Sequence, residues 1–200
     1  MMPLRLSTKR WQPRVPRGVR VYAVGDLHGR ADLLAQLQSR IDSHLTQNPV
    51  SRAIEVYVGD YIDRGPESCQ VIDLLIARKR RHETVFLKGN HETYALQFLT
   101  DPKIFDVWRQ YGGLQTLSSY GVQLPTRANP IDCNQLAAAF SNALPYAHVR
   151  FLSELATSFT CGDYLFVHAG VRPGISLDRQ KEDDLLSIRD DFLHTDKTLG

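Results

Sequence analysis

The apolar positions of the first ninety residues switch between two periods. Val19-Arg20-Val21-Tyr22-Ala23-Val24 reads as a strand that stops at Gly25, and Leu33, Leu34, Leu37, Ile41 and Leu45 then fall at helical spacing up to Asn48-Pro49. Ile54 to Val58 predicts a second strand. Val71, Ile72, Leu74 and Leu75 predict a second helix, which begins after Pro66 and closes in the basic run Arg78 to Arg81, where positive charge suits a helix C-terminus. Thr84 to Leu87 predicts a third strand. Units of about thirty residues in this order are βαβ repeats, so the three strands are expected parallel, with their carboxyl ends on one edge. Residues 92–155 read as a helical excursion with breaks at Asp101-Pro102, Gly112-Gly113, Gly121 to Pro130 and Pro145. Ala156 to Thr160 and Tyr164 to Val167 flank Cys161-Gly162-Asp163 as a hairpin, and an acidic helical stretch follows near Asp183 to Phe192.

Composition narrows the class without naming a function. Two hundred residues with 42% apolar and 23% charged side chains suffice for one substantial core. Lys plus Arg number 24 against 22 Asp plus Glu, a net charge of +2, so nucleic acid is not expected as a partner. Residues 1–18 are set apart as a basic N-terminal tail by Arg5, Lys9, Arg10, Arg14 and Arg17, with Arg20 just beyond, and by Pro3, Pro13 and Pro16, which discourage regular structure. The domain proper is expected to cover residues 19–200. No run resembles a signal-peptide core or the roughly 18 uninterrupted apolar residues of a membrane span, so a cytoplasmic protein without a membrane partner is expected. Cys69, Cys133 and Cys161 are odd in number, widely spaced and without a CxxC pair; they are expected as small core residues, not as disulfides or zinc thiolates.

Each predicted parallel strand ends in a polar cluster: Gly25-Asp26-Leu27-His28-Gly29, Gly59-Asp60-Tyr61-Ile62-Asp63-Arg64-Gly65 and Gly89-Asn90-His91-Glu92. Open α/β sheets bind ligands outside the carboxyl ends of their strands, so these clusters should converge. Two aspartates, an asparagine and a histidine at one point need a cation to offset their repulsion. His168, at the end of the apolar run Tyr164 to Val167, should reach the same edge. Mixed carboxylate, amide and imidazole donors favour Mn, Fe or Zn over an all-oxygen calcium site. His44, His82, His148 and His194 lack such a setting and are expected at the surface or at helix ends. There is no GxGxxG dinucleotide loop, no Walker lysine followed by Ser or Thr, and no GxSxG elbow.

The blocks GDLHG, GDYIDRG, GNHE and HAG resemble the signature of the PPP-type serine/threonine protein phosphatases in the calcineurin-like metallophosphoesterase superfamily, in family order across residues 21–192. WRQYGGLQTLSSYG and FVHAGVRPG are similar to the small bacterial branch, while GNHE in place of GNHD sets the chain apart from symmetrical dinucleoside-tetraphosphate hydrolases. The resemblance implies a four-layer αββα sandwich and two divalent ions, manganese first, with iron or zinc as alternatives. Asp26 and His28 would hold one ion, Asp60 would bridge, and Asn90 and His168 would hold the second. Arg64, Asn90 and Arg189 would bind phosphate, Arg189 alternatively being a charge on a helix surface.

The chemistry suits these residues. A metal-bridging hydroxide would attack the phosphorus in line, Arg64 and Arg189 would follow the equatorial oxygens, and His91 would protonate the departing alkoxide. Asp63 could fix the His91 tautomer, or could instead pair with Arg64. Glu92 is expected to support its loop. In the resembling family a further histidine, in a Gly-His block after the Arg189 region, completes the second metal site; this sequence reaches Gly200 without one, and His194 does not fit that place. The C-terminal strands of the sandwich are thus expected to be missing, with an exposed sheet edge that invites dimerisation. The main functional expectation is a phosphoprotein phosphatase acting on phosphoserine or phosphothreonine. Hydrolysis of small phosphate esters or dinucleoside polyphosphates, and catalytically impaired phosphate binding, are the alternatives.

Overall fold

In the computed structural model, which describes residues 12–124 and 132–196, the predicted βαβ units form. Strand β1 (Val19–Val24) leads into helix α1 (Ala31–Gln47), β2 (Arg52–Tyr57) into α2 (Ser68–Lys79), and β3 (Thr84–Phe86) into α3 (Asn90–Phe98). The order in the sheet is β1-β2-β3, all parallel, in a register that runs from Val19 opposite Arg52 to Val24 opposite Tyr57. The helical excursion contains α4 (Phe105–Trp108), α5 (Gly113–Ser119), α6 (Cys133–Ala143) and α7 (Tyr146–Ser153). The expected hairpin follows as β4 (Ser158–Cys161) and β5 (Tyr164–Val167), antiparallel, with Ser158 opposite Val167.

Alternation along the strands explains the layering. Ile54 and Val56 of β2, with Val19, Val21 and Val85, face the hairpin and pack with Phe159, Cys161 and Phe166. Their neighbours Tyr22, Val24, Tyr57 and Phe86 point the other way, into the helical core around Leu34, Ile72, Leu75 and Phe151. Strand β2 is therefore covered on both faces, which is why its run is almost continuously apolar. The result is a mixed α/β sandwich of a parallel and an antiparallel sheet, with partial strand coverage. Among the described residues β1 pairs only with β2 and β5 only with β4. A groove of about 760 Å³, lined by Val19, Val21, Ala23, Tyr164 and Phe166 among others, lies between them.

Three details depart from the sequence pattern. The acidic stretch is not one helix but two, α8 (Glu182–Ser187) and α9 (Asp190–Leu193), broken where Arg189 adopts φ −134° and ψ −93°. Ile188 and Phe192, either side of that break, pack on Gly170. His148 is buried, not at the surface, because Tyr120 and Asp73 engage its two ring nitrogens at 2.9 and 3.0 Å. Residues 1–11 of the expected tail lie outside the described residues. Residues 12–18 lie against the hairpin: Arg14 N donates to the Asp163 carboxylate at 2.9 Å, and Asp163 N donates to Arg14 O at 2.9 Å. No described helix is long and apolar enough to cross a membrane.

The one polar residue on the buried face of β2 ties three elements together. Glu55 is 1% exposed and accepts hydrogen bonds from Arg78 at 2.6 Å and from Tyr57 Oη at 2.6 Å. The same guanidinium reaches Asp42 on α1 at 2.5 and 2.8 Å. Removing Arg78 leaves Glu55 buried without its counter-charge. Arg78→Ala should therefore cost about 3–5 kcal/mol in urea unfolding, and adding Glu55→Gln should recover much of it. The Arg78 hydrogen bond outweighs burial and holds the Asp42 carboxyl below its ordinary range. A depressed carboxyl contributes stability that is present above its unfolded value, near pH 4, and lost as pH falls through the folded value. Urea midpoints followed downward from pH 5 should show that loss in the wild type and a smaller one in Asp42→Asn.

Candidate functional site

Three loops at the carboxyl ends of β1, β2 and β3 interlock through backbone contacts. Leu27 N and His28 N both donate to Asp60 O at 2.9 Å, and Gly29 N donates to Tyr61 O. Gly59 (φ +104°) lets the second loop pass the third: a Cβ there would stand 2.5 Å from Gly89 N. Glu92, expected to support its loop, is fully buried and accepts from Asp60 N, Tyr61 N and Gly89 N at 2.8–2.9 Å. It is the third residue of α3 and reaches back over the helix start. Burial, helped by the nearby Asp60 charge, pushes the Glu92 carboxyl up to about 7 against the pull of those three N–H groups.

The non-glycine residues with positive φ among the described residues are His28, Asp60, Asp63 and Arg64, at 42° to 73°. Each is a position singled out from sequence. Left-handed backbone gathered in one place is held there by its surroundings.

Within this locus the three histidines share one arrangement. His28 Nδ1 donates to Ile62 O at 3.0 Å, His168 Nδ1 donates to Val58 O at 2.8 Å, and His91 Nδ1 meets the Asp63 carboxylate at 2.7 Å. A carbonyl only accepts, so Nδ1 of His28 and His168 carries the hydrogen and Nε2 is left to face inward. His28 Nε2 lies 3.6 Å from Asp26 Oδ2 and 3.7 Å from Asp60 Oδ2, buried and without a hydrogen-bond partner. His168 Nε2 lies 3.4 Å from Asp60 Oδ1 and 3.3 Å from Asn90 Oδ1. His91 Nε2 is 3.6 Å from Asp60 Oδ2.

Donor atoms of Asp26, Asp60 and His168 lie within 4.8 Å of one another, as do those of His28, Asp60 and His91. Two candidate metal clusters therefore share Asp60, an arrangement consistent with a di-metal centre. The resemblance groups Asp26 with His28, whereas these sets divide them; the 3.6 Å between the two side chains permits either grouping. A third group, Asp42, Glu55 and His82, also has its donor atoms within 4.8 Å, but the Arg78 guanidinium already bonds both carboxylates. Burial would lower the His168 imidazole, yet the hydrogen bond and charge of Asp60 outweigh it and raise it to about 9. Burial likewise favours the neutral form of Asp60, and the His168 and His91 side chains override it to hold the carboxyl below its usual range.

Asp63 is fully buried and turned toward His91, not Arg64. Trp108 Nε1 donates to its Oδ2 at 2.8 Å, Thr116 Oγ1 to its Oδ1 at 2.5 Å, and its own N–H reaches Ser68 and Thr116. Trp108 and Thr116 lie within the WRQYGGLQTLSSYG block, but nothing in that block or around Ser68 shows that an indole and two hydroxyls on separate helices meet at one carboxylate until the fold brings them there. Arg64 is exposed, with one guanidinium nitrogen 3.3 Å from His91 Nε2. The Arg189 side chain is exposed and makes no hydrogen bond or ion pair with a described residue.

The chain belongs to the calcineurin-like phosphoesterase family, whose model matches residues 19–198. It is 26% identical over 153 residues to an asymmetrical bis(5′-nucleosyl)-tetraphosphatase, PrpE, of Anoxybacillus flavithermus, covering 74% of this chain and 56% of that protein. A zinc-dependent endopolyphosphatase of Saccharomyces cerevisiae is 29% identical over 162 residues, 76% of this chain and 47% of the other. Serine/threonine-protein phosphatase 2 of Escherichia coli is 40% identical over 77 residues, 38% of this chain and 31% of that one. The chain spans about half the length of the first two relatives.

Thr116→Val keeps the side-chain volume and removes the hydroxyl that bonds both the carboxylate and the backbone of Asp63. It should cost about 1–3 kcal/mol in urea unfolding, since a buried charged acceptor loses a donor. A change within experimental error would show that Asp63 is held without it.

Proposed function

We propose that this cluster is a two-metal phosphohydrolase centre acting on small phosphate esters and anhydrides, with bis(5′-nucleosyl) polyphosphates as the leading substrate class. The observation that carries the metal part is the common setting of His28 and His168, each with Nδ1 tied to a backbone carbonyl and Nε2 aimed at carboxylate or amide oxygen. At His28 a bare nitrogen lone pair facing oxygen lone pairs is unfavourable unless a cation lies between them, while His168 Nε2 meets Asp60 and Asn90 as a proton donor whose place a metal ion would take. Imidazoles oriented through the other nitrogen are the usual form of metal ligation. The orphaned His28 Nε2 fits that requirement. Asp26, His28 and Asp60 would hold one ion, and Asp60, Asn90 and His168 the other. Manganese suits this mixed donor set, with iron and zinc close behind. Such a pair of ions supplies a water of lowered pKa and draws charge from the phosphoryl oxygens.

His91 has a different task. Asp63 orients its ring through Nδ1 and favours the imidazolium, so Nε2 can pass a proton to the departing oxygen once Arg64, which donates to Nε2 at 3.3 Å here, turns to the phosphoryl group. Arg64 is free to bind a phosphoryl oxygen as well. Arg189, whose exposed side chain makes no ion pair with a described residue, would be the second phosphate arginine.

The substrate class rests on the names of the broadly aligned relatives. Among those that align with two-thirds or more of this chain, two asymmetrical bis(5′-nucleosyl)-tetraphosphatases and an endopolyphosphatase are named for phosphoanhydrides. The phosphoserine and phosphothreonine reading is second, supported by a Shewanella-like protein phosphatase 2 of Arabidopsis thaliana, 28% identical over 80% of this chain, and by the 40% identity of a match that covers 38% of it.

With Mn²⁺ present, kcat/KM should be higher for bis(5′-adenosyl) tetraphosphate than for a phosphoserine peptide, and a chelator should abolish both. The opposite ranking would return the protein-phosphatase reading to first place, and no turnover of any phosphate compound would overturn the assignment. His91→Asn should lower hydrolysis of an alkyl phosphomonoester about 10²–10⁴-fold. The effect on the anhydride should be smaller, because a phosphate leaving group needs less help from a proton.

A further inference from the structure

A trough of about 490 Å³ is lined by Arg64, Arg109, Tyr111, Gly112, Leu114 and Gln115, among others. Its near end is fixed to the reacting groups. Arg64 lies 3.3 Å from His91 Nε2, and the Tyr111 ring stands edge-on to the His91 imidazole, 5.8 Å between centroids. Gly112 makes this closeness possible. It sits at φ +100°, its carbonyl accepts from Arg64 N at 3.2 Å, and a Cβ on it would stand 2.5 Å from that nitrogen. Tyr111 therefore moves with the loop that carries Asp63 and Arg64.

Tyr111 stacks on Tyr94 at 5.2 Å and 20°, yet remains 39% exposed. Orienting His91 does not require that exposed ring, because Asp63 already holds the imidazole and is itself held by Trp108 and Thr116. Arg109 pairs with Asp106 at 3.0 Å, with both side chains largely in solvent. Such a surface pair contributes little, which leaves the guanidinium free to turn toward an anion. An alkyl or seryl leaving group has no use for an aromatic face flanked by two guanidinium groups. A nucleoside phosphate matches it: the base stacks on the ring, and the phosphate chain runs between the cations.

We propose that the trough is the leaving-group subsite and that it binds a nucleoside, with the base on Tyr111 and Arg109 beside the phosphate chain that leads back to Arg64. This rests on the phosphohydrolase reading above and adds to it a reason to choose a nucleotide over a bare phosphate chain.

Binding of adenosine diphosphate and of inorganic pyrophosphate to the Mn²⁺-loaded protein, measured by calorimetry, separates base from phosphate without any turnover. The nucleotide should bind at least about fivefold and up to roughly 10²-fold tighter, the range expected for one stacked base. Tyr111→Ala should erase the difference while leaving pyrophosphate affinity within about twofold, and Tyr111→Phe should keep it. Equal weakening of both ligands by Tyr111→Ala would make the ring a support for Arg64 and His91, and would overturn the subsite. So would equal affinity of the two ligands for the wild type, or a phosphopeptide showing the same Tyr111-dependent gain. If nothing is hydrolysed but the Tyr111-dependent preference is found, the subsite stands and the catalytic reading fails. Hydrolysis without that preference gives the reverse.

Discussion

The hydrogen bonds that Glu92 accepts hold the site together. Asp60 sits between three loops with φ +55°, a left-handed state that aspartate tolerates better than most residues. The Glu92 carboxylate, fully buried, takes the N–H groups of Asp60, Tyr61 and Gly89 and so ties the end of β2 to the start of α3. Asp60 then faces His28, His91 and His168 within 3.7 Å, and the other donors are arranged around it. The arrangement is electrostatically costly: burial and the Asp60 charge together push Glu92 up to about 7, while Asp60 is held charged by its imidazole neighbours. Two carboxylates this close are stable together only where positive charge offsets them.

Much of this was legible along the chain, for identifiable reasons. Period-2 and period-3.6 stretches alternate cleanly from Val19 to Leu87, so the parallel order and the shared edge of Asp26, Asp60 and Asn90 followed from connectivity alone. His168 was legible as the end of a hairpin strand. The supports were not. Trp108 and Thr116 reach Asp63 from helices 45 and 53 residues away, a proximity that no local pattern encodes. His148 lay in a helical stretch with nothing nearby in sequence to show that Tyr120 and Asp73 would satisfy it in the core. The break at Arg189 was hidden because helix-forming residues flank it, and packing of Ile188 and Phe192 on Gly170 decides where the backbone turns.

Two kinds of residue thus meet at one edge. Those next to the strands converge because the parallel sheet delivers them there, and they form the two candidate metal clusters. Those from the helical excursion, Tyr111 above all, arrive through Gly112 and the Arg64 loop. Fold membership speaks to the first group. In the reading proposed above, the second group is where substrate choice would lie.

One carboxylate, Asp60, belongs to both candidate metal clusters. Electron paramagnetic resonance of the protein titrated with Mn²⁺ reads this sharing, because two manganese ions with a common ligand are magnetically coupled and two independent ions are not. Two ions per chain with a coupled spectrum are expected, and loss of the coupling in Asp60→Asn. A single uncoupled ion, or a pair whose spectrum is unchanged in Asp60→Asn, would rule out the shared ligand.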